Sequence, residues 1–191
     1  MLPSTLYYRY CRLTMSHIFI TPTRLRNVDS LPFDIDGYKL IRACPEDMDF
    51  VMECVREDIL CSVPSDEKDL RDLWIDDIVS IVHDGMLRKT MDSEVFKLVS
   101  DDGNAGMLWM GVSKDEFTCD ETGYLLGIHV RKDLRGRGLG KALMRSAEEW
   151  CRSNSLLSLS LNVGSVNGAA IGLYRSMGYS DRSVVMRRIL K

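Results

Sequence analysis

The chain is short of the residues that build metal sites and disulfide frameworks. Its six cysteines stand at 11, 44, 54, 61, 119 and 151, and no two have the spacing of a CxxC pair. Histidine occurs only as His17, His83 and His129, with no HxxxH pattern and no Cys/His cluster. A zinc site therefore lacks ligands at workable spacing, and we expect no metal. Reduced, mostly packed thiols in a cytoplasmic protein are the expectation. Long apolar runs are missing too. Nothing approaches the roughly 18 apolar residues of a membrane span, and the N-terminus has no continuous apolar signal segment. These absences argue against a disulfide-stapled secreted chain and against a membrane-spanning helix.

What is present is ordinary in bulk and uneven in detail. With 191 residues, 45% hydrophobic and 28% charged, and a mean hydropathy of -0.11, the chain suits one domain with a sizeable core. The formal charge of -3 hides a split: residues 1–130 hold 13 Lys and Arg against 24 Asp and Glu, whereas residues 131–191 hold 12 against 4. A basic C-terminal third points to a polyanion there. The acidic part reads equally well as solvated surface.

Residues 1–36 carry Pro3, Pro22 and Pro32 without an apolar period and read as an extension, with one short element around 17–20; residues 37–191 read as the domain. A strand at 38–42 leads into Pro45, Glu46, Asp47 and Asp49, a proline with acidic neighbours that suits the first turn of a helix. Phe50, Val51, Cys54, Val55 and Ile59 then recur at helical spacing. A second helix follows Ser65, with Leu70, Trp74, Ile78 and Ile81 as its stripe and Gly85 as its stop. Strands are expected at 94–100 and 106–112 around a turn at 101–104, and again at 124–130. A Gly-rich turn opens a helix at 138–152 with Leu139, Leu143, Ala147 and Trp150 on one face. A strand at 156–163, a helix at 167–177 and a last strand at 184–190 complete the chain. The order predicts a mixed sheet covered by helices, not a doubly wound one.

Arg135, Gly136, Arg137, Gly138, Leu139 and Gly140 spell RGRGLG between a strand and a helix. Glycines allow close backbone approach, and the free N–H groups and dipole of a helix start favour an anion such as a pyrophosphate. A P-loop requires a glycine at position 135 and a hydroxyl residue at 142, where this chain has Arg135 and Ala142. The dinucleotide fingerprint GxGxxG fails at Lys141, and no acidic residue follows about 20 positions on. RxxGxG remains.

The run 126–141, LGIHVRKDLRGRGLGK, resembles the acetyl-CoA-binding segment of the GCN5-related N-acetyltransferases, in which RxxGxG follows a strand ending in valine. A second block, Leu161, Val163, Asn167, Ala170, Leu173, Tyr174, Gly178 and Tyr179, is similar to that family's later signature. The opening YKLIRACPEDMD at 38–49 is also similar, so the resemblance covers about residues 38–190. It implies that family's fold: a central mixed, mostly antiparallel sheet of six to seven strands flanked by about four helices. It implies transfer of an acetyl group from acetyl-CoA to an amine in a ternary complex. The acceptor is a small molecule or a peptide amine, the protein a monomer or homodimer, and neither nucleic acid nor membrane is expected as partner.

By the same resemblance, the backbone of Ile128, His129 and Val130 pairs with the pantetheine arm, and the amides from Arg135 to Lys141, with Gly136, Arg137, Gly138, Leu139 and Gly140 between them, hold the pyrophosphate. Arg131, Lys132, Arg135, Arg137 and Lys141 supply positive field. Tyr174 matches the tyrosine that protonates the departing thiolate, although its position also suits a core aromatic. Asn167 matches a residue that contacts cofactor or caps its helix. The base is open. The glutamate that some members carry six residues before the valine is Tyr124 here, and the one that ribosomal N-terminal acetyltransferases carry before the asparagine is Asn162. A water chain, Glu116, Asp120, Glu121 or His129 is left for the proton, with Tyr124, Asn162 and Glu121 as candidates for base or water positioning. An acyl-CoA-binding sensor without turnover is the alternative reading.

Overall fold

The computed structural model describes residues 25–26, 28–64, 79–80, 83 and 93–188. Among these, six strands form one sheet in the order β1 (Ser30–Leu31), β2 (Lys39–Arg42), β3 (Ser93–Ser100), β4 (Gly103–Lys114), β5 (Glu121–Val130) and β6 (Leu159–Leu161). All neighbours are antiparallel except β5 and β6, which run parallel. The helices are α1 (Met48–Ser62), α2 (Leu139–Ser153) and α3 (Gly168–Ser176). The mixed sheet and its flanking helices match the expected fold class.

Each helix begins where its sequence marks a start. Pro45 opens a short 3-10 turn at Pro45–Asp47 that leads into α1. Asp47 fixes that corner by accepting from the Cys44 amide at 2.9 Å and from Lys97 Nζ at 2.6 Å. Val51, Cys54 and Val55 then face one side of the sheet, against Met107 and Trp109. On the opposite side α2 buries Leu139, Leu143, Met144, Ala147 and Trp150 against Phe96, Leu98, Leu108 and Leu125. Glu94 ties the layers together: its carboxylate accepts from Trp150 Nε1 at 2.6 Å and from Arg42 at 2.7 Å. Two hydrogen bonds, one of them from a guanidinium, satisfy a carboxylate that would otherwise be costly to bury.

Several expectations change. Most of the helix expected at 65–85, and the element at 17–20, lie outside the described residues. The turn between β3 and β4 is tighter than expected, with strand resuming at Gly103. Within the segment read as an extension, Ser30–Leu31 pairs with Ile41 and Leu40, and Asp34 forms an ion pair with Arg145 at 2.7 Å. The strand expected at 156–163 shrinks to Leu159–Leu161. The last strand is a correction: residues 180–188 form none. Arg182 binds the Asp115 carboxylate and stacks on the Phe117 ring at 4.8 Å, and Arg175 holds Asp181 at 2.8 Å. These ion pairs hold the segment at Asp115, just past the end of β4, and Val184, Val185 and Met186 are exposed. The cysteines also differ from a mostly packed set, since Cys44, Cys61 and Cys119 are exposed while Cys54 and Cys151 are buried.

Candidate active site

β5 carries the site because it loses a neighbour half-way along. β6 pairs with it only from Gly123 to Leu125. That short contact is tight: Thr122 Oγ1 donates to Ser158 O at 3.1 Å, and a Cβ on Gly123 would meet Cys151 Sγ at 2.2 Å. Opposite, the register with β4 slips between Trp109 and Met110, so that Leu126 is the extra residue of a bulge. Beyond it Ile128 and Val130 pack towards the α2 layer, while Leu126 and His129 face α1. The Arg131 amide bonds to Ala105 O at 2.9 Å, and Val130 stands opposite Gly106. In an antiparallel ladder this alternation turns the N–H and C=O of Ile128 and Val130 away from β4, while those of His129 serve the sheet. Two residues of the predicted three thus present backbone groups on the open side.

The glycine turn follows at once. Gly136 and Gly138 adopt φ of 78° and 82°, the left-handed region that only glycine enters without strain. Gly138 stands at the N-cap of α2, and the first helical hydrogen bond runs from Ala142 N–H to Gly138 O at 3.0 Å. The amides of Leu139, Gly140 and Lys141 therefore leave the helix end without an intrahelical acceptor. Arg137 and Lys141 are exposed beside them. Arg135 folds back, its Nε donating to Val130 O at 2.9 Å, and Arg131 is held by Asp133 at 2.7 Å. Of the five cations singled out by sequence, these two have internal partners at close range.

Across the gap stands α3. Asn167 Oδ1 accepts from the Ala170 amide at 3.2 Å, which makes it the N-cap of α3. Tyr174 on that helix is buried and lies 6.0 Å, ring to ring, from Tyr179. Burial pushes its phenol up to about 12, and the negative field of Asp58 adds to the effect. Burial also raises Tyr124, reinforced by Glu116. Both hydroxyls are therefore protonated at neutral pH and act as donors. Burial likewise pushes the Cys54 and Cys151 thiols up to about 12, so neither is a thiolate nucleophile at neutral pH.

One cluster was not foreseen. The last turns of α1 bring Glu57 and Asp58 to the buried His129 ring, with Nδ1 3.0 Å from Asp58 Oδ1 and Nε2 3.8 Å from Glu57 Oε2. Lys132 lies 3.4 Å and Arg135 4.0 Å from the same Glu57 carboxylate. Burial raises the Asp58 pKa, and the His129 hydrogen bond opposes that rise. The sequence held a signal: Asp58 falls on the stripe of Val51, Cys54 and Val55, where an apolar residue is expected.

The other predicted positions scatter. Tyr124 is partly buried, opposite Ser160 across the short β5–β6 contact. Asn162 is exposed just past β6. Glu121 opens β5 at the far end from the glycine turn and lines a separate cleft of about 640 Å³ with Asp115, Asp120 and Arg182.

The profile of the acetyltransferase (GNAT) family matches residues 63–179. Streptothricin acetyltransferase of Streptomyces lavendulae is 34% identical over 63% of this chain and 62% of its own length. The [ribosomal protein bS18]-alanine N-acetyltransferase of Salmonella typhimurium is 33% identical over 46% of this chain and 55% of its own. The chain thus spans less than two thirds of each of these relatives. A solved GCN5-related N-acetyltransferase from Ralstonia eutropha superposes with a TM-score of 0.59 at 19% identity, covering 80% of this chain and 99% of that one. With that profile matched over more than half of its length, the chain belongs to the acetyltransferase (GNAT) family.

Proposed function

We propose that the protein moves an acetyl group from acetyl-CoA to a primary amine of a small molecule or peptide by direct attack in a ternary complex. The observation that carries this reading is the free edge of Ile128 and Val130 running into the open amides of Leu139 to Lys141. An extended, amide-bearing arm pairs with such an edge as an added strand, and a diphosphate suits the helix end that follows. The resident residues fit acetyl-CoA as co-substrate: Arg137 and Lys141 supply charge, the glycines allow close approach, and Tyr174 holds a proton for the departing thiolate. The buried thiols favour direct transfer over a covalent acyl-enzyme.

The acceptor is a cationic amine. The acidic excess of residues 1–130 favours it, and two relatives are named for acting on streptothricin and on a ribosomal-protein alanine. The sensor reading retains one point in its favour, that Tyr124 and Asn162 stand where relatives of other kinds carry a carboxylate. Calorimetry with acetyl-CoA, followed by free-thiol release on a panel of amines, separates the two. Binding with release on at least one amine is the expected result. Binding without release across the panel selects the sensor, and no binding of CoA or its acyl forms ends both readings.

A further inference from the structure

The resemblance leaves the base that takes the amine proton unassigned, and the sequence offers only Glu116, Asp120, Glu121, His129 or water. Resting on the acetyl-transfer reading, we propose that Asp58 is the catalytic base, that His129 is its positioning residue, and that the proton Asp58 takes is returned to Tyr174.

Geometry carries the assignment. Asp58 sits on the sheet-facing stripe of α1, yet a third of its side chain (33%) remains accessible, so a substrate can reach it. His129, only 6% exposed, donates to Oδ1 at 3.0 Å when Nδ1 carries the proton and leaves Oδ2 for another partner. The end of α1 is seated at the opening between β5 and β6. A Cβ on Gly164, just past β6, would come within 2.6 Å of Ser62 O, so the backbone after β6 rests directly on the last residue of α1. Asp58, one turn earlier, lies near enough to Tyr174 for its charge to act on that phenol. The competing positions fare worse: Glu121 belongs to a different cleft, Asn162 has no basic group, and Tyr124 is a raised phenol.

Proton accounting gives a second reason. A phenol at about 12 gives a proton to a thiolate of pKa about 8.5 against a gradient of roughly three powers of ten. A carboxylic acid feeding that phenol reverses the gradient. In the proposed step the amine, having first lost its ammonium proton to solvent, forms the N–C bond to the thioester carbonyl, and its second N–H proton passes to Asp58 Oδ2. As the C–S bond breaks, Tyr174 gives its proton to sulfur and receives the proton from Asp58. Amine and acetyl-CoA become amide and free thiol, and both side chains return to their starting states. The charged and titratable groups facing Asp58 among the described residues are His129 from β5, Arg135 from the glycine turn, Tyr174 from α3, and Glu57 and Cys54 on its own helix. His129 and Arg135 favour the carboxylate, and Glu57 opposes it.

The test starts with the full chain, acetyl-CoA and an amine that the wild type acetylates. Asp58→Asn should lower kcat about 100- to 1000-fold while acetyl-CoA binds within about twofold of wild type, and it should abolish the acidic limb of the pH–rate profile. Because the base works ionised, the wild-type rate rises with pH through the Asp58 pKa. His129→Ala removes a group that lowers this pKa, so the limb should move to higher pH. Asp58→Glu should recover part of the rate, and thermal melts establish that each variant folds. An Asp58→Asn rate within threefold of wild type overturns the proposal. So does an acidic limb that His129→Ala leaves in place, or a failure of both Asp58 variants to fold, which would make the residue part of the frame. If the wild type releases no thiol on any amine, the acetyl-transfer reading has failed before a variant is made, and this proposal falls with it.

Discussion

Along β5, Gly123–Leu125 is flanked by a strand on each side, whereas Leu126–Val130 has, among the described residues, a strand neighbour only in β4. The first half spends its backbone polar groups on the sheet and is packed so closely that a side chain at Gly123 would overlap Cys151. The second half keeps the N–H and C=O of Ile128 and Val130 turned towards the gap, although Arg135 already donates to one of those carbonyls. Buried backbone groups are almost always paired, so an open stretch in the middle of a sheet is a place for an extended ligand. One strand thus serves as frame at one end and, on the reading proposed above, as docking edge at the other. The bulge at Leu126 separates the two by resetting which residues face α1.

This division is open to attack, and the frame should yield the largest effect. Glu94→Ala leaves the Arg42 guanidinium and the Trp150 indole N–H without their buried carboxylate. It should cost about 3–5 kcal/mol of stability by urea denaturation and leave acetyl-CoA affinity of the folded protein unchanged. The open side should behave in the opposite way. Tyr174→Phe should reduce kcat about 10- to 1000-fold with stability and acetyl-CoA binding near wild type; an unaltered rate would remove the tyrosine from the chemistry. Gly138→Ala, at φ of 82°, adds about 1–2 kcal/mol of backbone strain where the ligand is expected. Calorimetry should show acetyl-CoA binding weakened about tenfold, with a smaller change in melting temperature than Glu94→Ala gives. The mildest effect should be an acid transition far from the gap. Asp115 is held at about 2 by the Thr118 and Phe117 amides and by Arg182. Its lowered folded pKa contributes stability that is present above about pH 4 and lost as pH falls towards 2. Arg182→Gln should reduce that loss, which melting temperatures across this range would register.

The legible parts of the site were those encoded in contiguous sequence. RGRGLG announced a tight glycine turn and an open helix start, and α2 begins where expected, with Gly136 and Gly138 in the left-handed region. Asn167, matched by resemblance to a residue that contacts cofactor or caps its helix, caps α3. Asp58 and Glu57 stayed hidden because their partner, His129, is 71 residues from Asp58. A short polar side chain on an apolar stripe signals only that something must satisfy it. The C-terminal segment misled in the converse way. Val184, Val185 and Met186 have β-forming side chains, but strand pairing depends on where the chain is anchored, and Arg182 anchors it beside Asp115.

The sequence by itself determined the mixed sheet, the glycine turn, the caps and the family, because each rests on backbone preference or on a pattern within a few residues. Only the tertiary structure decided which half of β5 is open, which of its backbone groups face the gap, and which carboxylates meet His129. Those are pairings between segments far apart in the chain, set by how α1, β6 and α3 close around the same strand.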